Sequence, residues 1–127
     1  MSTFEDVLAE TFPGALPSSR YLERVRSSVE TLGFTPATTL PLVSLCRDEL
    51  TGRFAAAIQS DWGLAFSLAG LGGVPALGRT GWAAALSHVP DATGRGAVLV
   101  FGFPHIGITL DGTIGVNLRQ NQGHPTA

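Results

Sequence analysis

The chain has 127 residues, a formal net charge of −2, 44% hydrophobic residues and only 14% charged ones. That length suits one domain with a single core, since domains cluster at ~100–150 residues, and residues 1–127 read as such a domain. The low charge and aliphatic content exclude a disordered solvating segment. All eight basic residues are Arg, and they form no block or stripe, which leaves a nucleic-acid partner without electrostatic support.

Cys46 is the one cysteine, which excludes an intrachain disulfide framework and a self-contained multi-cysteine zinc module. The first residues, Met1-Ser-Thr-Phe-Glu-Asp6, lack the basic and apolar regions of a signal peptide. No apolar run reaches the ~18–20 residues of a membrane span. A soluble, cytoplasmic protein with no membrane partner is the expectation. A small domain this apolar also predicts surface covered in a homo-oligomer.

In chain order, a short helix is predicted at Thr3–Glu10, stopped by Pro13-Gly14. Leu22, Val25, Val29 and Leu32 fall at helical spacing and predict a helix over Arg20–Leu32, with Ser19 as N-cap and Gly33 as the glycine just past its end. Thr39–Cys46 is nearly continuously apolar, as in a strand buried on both faces of a parallel sheet. Leu50, Phe54, Ala57 and Ile58 predict a helix ending near Ser60, so Cys46 lies where a strand gives way to a helix. In open α/β sheets that edge is where ligands bind.

Residues 62–81 carry Gly63, Gly70, Gly72, Gly73, Gly78 and Gly81 without either phosphate-loop pattern. Close backbone packing near a site or a dimer interface is the reading. A short helix is predicted over Gly81–His88, and a second buried strand over Ala97–Phe103. Ile106–Leu110 and Thr113–Leu118 flank Asp111-Gly112, a two-residue hairpin signal. If strands 39–46 and 97–103 run parallel, Cys46 and His105 lie on one edge of the sheet. The elements predict an α/β fold of three layers, with a mostly parallel central sheet flanked by helices.

Cys46 has three readings: a small buried hydrophobe, a thiolate nucleophile, or a metal ligand. As nucleophile it would take His88 or His105 as base and Asp48 as orienter. As ligand it would pair with imidazole, and thiolate with imidazole suits zinc. Arg47 and Asp48 beside it supply hydrogen-bonding groups for either chemistry. His105, between Phe103-Pro104 and Ile106, reads as a hydrogen-bonded core residue unless it meets Cys46. His88, at a helix end before Val89-Pro90, reads as a cap, and His124 belongs to the C-terminal tail.

Cys46-Arg-Asp-Glu-Leu50, Gly78-Arg-Thr-Gly-Trp82, Phe103-Pro-His-Ile-Gly-Ile108 and Asp111-Gly-Thr-Ile-Gly115 occur in that order. From about Ser19 onward the chain resembles the limiting-CO2-inducible B/C family of carbonic anhydrases, whose fold is related to the β class. The resemblance implies a β-carbonic-anhydrase-like fold and reversible hydration of CO2 to bicarbonate through zinc-bound hydroxide. It implies zinc ligands at Cys46 and His105 and a hydroxide-orienting carboxylate at Asp48. Arg47 is the first candidate to pair with Asp48, and Arg53 the second, because the β-class Cys-x-Asp-x-Arg spacing is absent. A homodimer with its site near the interface is expected, with an apolar wall of Phe103, Ile106, Phe66 and Trp62 for CO2.

The family has a second cysteine ligand after the region matched by Gly115–Thr126, and Cys46 is the only cysteine before Ala127. The C-terminal part of the family domain is therefore read as missing, with His124 as a substitute ligand if the tail folds back. The alternative is a non-catalytic or truncated homologue that keeps the fold and dimer without a complete metal site. A metal-independent Cys-His hydrolase or transferase ranks last.

Overall fold

A computed structural model describes residues 3–47, 51–75, 77–90, 94–109 and 112–115. The chain divides into two compact units, Ser18–His105 and a second that combines Met1–Pro17 with Ile106–Ala127.

In the larger unit, helix α2 spans Ser18–Glu30 and turns Leu22, Val25 and Val29 toward the core. It opens at Ser18, directly after Pro17, so Ser19 is inside the helix and does not cap it. Its end matches the expectation at Gly33. Phe34 N–H donates to the Val29 carbonyl and Gly33 N–H to that of Glu30, while Gly33 takes a φ of 91°. This nested pair of bonds is the Schellman motif, which needs a left-handed residue at that position. Arg26 then ties α2 to helix α3, Gly52–Trp62. Its guanidinium lies 5.4 Å from the Trp62 ring centroid and donates to the Asp61 carbonyl.

Strand β1 (Thr39–Ser44) is buried at all six positions. It lies between the two-residue strand β2 (Phe66–Ser67) and strand β3 (Ala97–Gly102), and both pairings are parallel. Pro41 sits in this central strand although proline cannot complete a ladder. The hydrogen bonds explain it. Thr38 and Ser44 carbonyls accept from β3, whereas Val43 and Leu45 carbonyls accept from Leu68 and Gly70. By alternation the missing Pro41 N–H faces the β2 side, where pairing begins only at Leu42.

Alternate β1 side chains feed two cores. Val43 and Leu45 join Leu22, Ile58, Trp62 and Phe101 under α2 and α3. Leu40 and Leu42 join Leu68 and Ala85, the latter on helix α4 (Arg79–Leu86). Helices on both faces of a parallel sheet make the three-layer α/β fold that the sequence predicts. One expectation fails in detail. Residues 97–103 were expected to be buried on both faces, yet Val100 is 54% exposed. Among the described residues no strand pairs with the outer edge of β3, so it is covered as an edge strand rather than as a central one.

In the smaller unit, helix α1 spans Phe4–Thr11. Thr3 and Asp6 form a reciprocal capping box. The Thr3 backbone N–H, and then its side chain, hold the Asp6 carboxyl below the usual carboxylate range. The expected hairpin is present as an antiparallel bridge between Ile108 and Ile114. Its turn is closed by Gly112 N–H on the Thr109 carbonyl, with Gly112 at a φ of 84°. Leu110 and Asp111 of the expected Asp-Gly turn lie outside the described residues. The rest of Thr113–Leu118 lies outside the described residues.

Ile58 is fully buried in the α2–α3 core. Ile58→Ala should lower unfolding stability by about 2–5 kcal/mol, read as a lower urea midpoint at unchanged slope.

Candidate functional site

The parallel pairing of β1 with β3 brings the chemistry-bearing residues to one edge. The last pair in register is Ser44 with Gly102, and Phe103 N–H still reaches the Ser44 carbonyl at 3.0 Å. Cys46 lies two residues beyond that pair on one strand. Arg47 and His105 lie three residues beyond it, one on each strand. The third strand joins the same edge, because Gly70 bridges Cys46 and accepts the Arg47 N–H at 3.1 Å.

Cys46 is only 9% exposed. Its sulfur accepts the Gly72 N–H at 3.3 Å, and its carbonyl accepts the Thr51 hydroxyl at 2.7 Å. The donor at the sulfur comes from a 3-10 turn, Leu71–Gly73, in which Gly72 and Gly73 both take positive φ values, 65° and 75°. A Cβ on Gly73 would stand 2.2 Å from the Phe103 carbonyl oxygen. A Cβ on Gly70 would stand 2.6 Å from the Val74 carbonyl oxygen. The glycines therefore allow the close backbone packing read from the sequence. Their second use, directing an N–H at Cys46, was not legible there.

Arg47 is exposed, and its Nε donates to the Ala69 carbonyl at 2.9 Å. Arg53 lies in the first turn of α3. His105 is exposed at the end of β3. His88 behaves as the cap expected of it. Its Nδ1 lies 2.7 Å from the Ala84 carbonyl at the end of α4, and its ring lies 5.4 Å from that of Phe66. Asp48 and His124 lie outside the described residues.

A small cleft of about 130 Å³ opens beside Cys46, lined by Val43, Leu45, Ala55, Ala65 and Ala69 with polar groups from Thr51, Gln59 and Ser67. The expected apolar wall is not its lining. Trp62 packs edge-on against Phe101 in the core, Phe103 sits edge-on to Tyr21 and Phe54, and Phe66 packs on His88. Ile106 is 57% exposed in the smaller unit. Aromatic residues serve a core and a substrate wall equally well, so composition could not separate the two uses.

The donor set fits zinc in type. A thiol that accepts a backbone N–H and an accessible imidazole at the same sheet edge are ligands that zinc takes. Among the described residues no three His, Cys, Asp or Glu side chains form a group able to hold a metal ion.

The family model for limiting CO2-inducible proteins B/C beta carbonic anhydrases matches residues 15–126. The chain belongs to this family. Its fold is that of solved members: the crystal structure of PtLCIB4, a homolog of the limiting CO2-inducible protein LCIB, matches at 28% identity with a TM-score of 0.79, covering 94% of this chain and 50% of that one. The structure of limiting CO2-inducible protein LCIB itself matches at 33% identity with a TM-score of 0.69, covering 84% of this chain and 43% of that one. The chain thus spans about half the length of these solved relatives. No curated protein matches it significantly in sequence. No helix among the described residues is long and apolar enough to cross a membrane.

The two glycines of the turn should respond differently to substitution. Gly72→Ala meets open space and should cost only the ~1–2 kcal/mol of a left-handed alanine. Gly73→Ala should cost more, because a backbone oxygen must also move. Equal losses in urea denaturation would contradict the packing at Phe103.

Proposed function

We propose that this chain carries the site of a zinc-dependent carbonic anhydrase, which converts CO2 and water reversibly to bicarbonate and a proton. The observation that supports the reading is the parallel register of β1 with β3, which carries the segments bearing Cys46 and His105 to the same sheet edge, in a chain of this family. Bound zinc supplies Lewis acidity that brings the pKa of water close to neutrality.

The residues of the chain have separate roles. Cys46 and His105 hold the metal through sulfur and an imidazole nitrogen. Asp48 accepts a hydrogen bond from the attacking oxygen, which aims that oxygen's lone pair at the carbon of CO2. Arg47, tethered by Nε to Ala69, orients that carboxylate. The narrow cleft beside Cys46, mostly alanine and aliphatic with three polar groups, suits a small neutral substrate and limits bulk water. The chain acts as a homodimer, a reading supported by exposed Trp82, Leu86 and Val100.

A second reading, a homologue that keeps the fold without a complete metal site, rests on the donor count. Two described donors reach the sheet edge, whereas a catalytic zinc takes three protein ligands.

The test is zinc content together with stopped-flow CO2 hydration. Wild type should bind zinc one-to-one and hydrate CO2, Cys46→Ser should lose the metal, and Asp48→Ala should keep zinc while losing hydration at least about 100-fold. Wild type without zinc would favour the second reading. Full activity in Asp48→Ala would remove that carboxylate from the mechanism.

A further inference from the structure

Ser44 is fully buried at the end of β1, in a strand otherwise occupied by apolar residues and Thr39. A buried hydroxyl must find a partner or weaken the core. That of Ser44 donates to the Gly73 carbonyl at 2.7 Å, across a sequence separation of 29 residues. Gly73 also lies so close to the Phe103–Pro104 backbone that a Cβ on it would stand 2.2 Å from the Phe103 carbonyl oxygen. The turn carrying Gly72 is therefore pinned between the ends of β1 and β3. The N–H of Gly72, the residue before Gly73, is the one that reaches the Cys46 sulfur.

We propose that Ser44 is a positioning residue for Cys46: its hydroxyl anchors the Leu71–Gly73 turn and so keeps the Gly72 N–H on the sulfur. The inference rests on the zinc reading above and adds a group that neither ligates metal nor touches substrate. A hydrogen bond to a ligand atom fixes its direction, and losing such outer partners typically costs 10–100-fold in metal affinity. An alanine in place of Ser44 would fill nearly the same space without a polar group to satisfy. The hydroxyl is thus better explained by the turn than by the sheet.

Two measurements on the full chain separate this inference from the zinc reading. The first needs no metal. Amide hydrogen exchange at Gly72 should accelerate at least tenfold in Ser44→Ala, while Leu68 N–H, bonded to the Val43 carbonyl in the same sheet, should keep its rate. The second is zinc affinity by chelator competition, which should fall about 10–100-fold in Ser44→Ala. Ser44→Thr, which restores a hydroxyl, should recover both readouts. Unchanged Gly72 exchange in Ser44→Ala overturns the clamp, as does unchanged zinc affinity. A wild-type chain that takes up no zinc, yet shows the exchange effect, overturns the zinc reading and leaves the clamp standing.

Discussion

The parallel pairing between β1 and β3 is the constraint on which the rest depends. Cys46 and His105 are 59 positions apart in the chain, and neither has a local reason to meet the other. Six register pairs, from Thr39 with Ala97 to Ser44 with Gly102, bring both strands to a common edge. A shift of one residue would turn Val43 and Leu45 out of the α2–α3 core, so burial specifies the register. The geometry of the site is therefore maintained by the same apolar contacts that stabilise the domain.

The edge itself is made of backbone rather than of large side chains. Gly73 lets the segment after β2 lie against the end of β3 closer than a Cβ would allow, and Gly70 lets the same segment turn tightly onto the Val74 carbonyl. Beside that segment lie a small cleft, a sulfur that accepts an N–H, and an arginine fastened to a carbonyl. Such an edge keeps its few polar groups in defined directions.

Much of this framework was legible in the sequence where a local pattern dictates structure. The spacing of Leu22, Val25 and Val29 and the glycine at 33 mark α2, and the apolar run before Cys46 marks β1. The parallel pairing followed as a condition, and with it the shared edge of Cys46 and His105. What escaped reading depends on contacts distant in the chain. Strand β2 is two residues long and exists only because Leu42 and Val43 offer it a partner. Thr51 and Gln59 line the cleft from α3 and its N-cap and Ser67 from β2, and no local pattern distinguishes them from surface residues. Trp62 and Phe103 were expected at the substrate wall, but their large apolar area is used by the core. Nothing local marks the role of Ser44, because its partner Gly73 lies beyond β2.

The most direct test of the central claim is the zinc X-ray absorption spectrum of the metal-loaded protein. The account predicts one sulfur at about 2.3 Å and imidazole nitrogen at about 2.0–2.1 Å, with the sulfur shell lost in Cys46→Ser and the imidazole signal reduced in His105→Ala. A first shell of oxygen and nitrogen only, unchanged by either substitution, would contradict it.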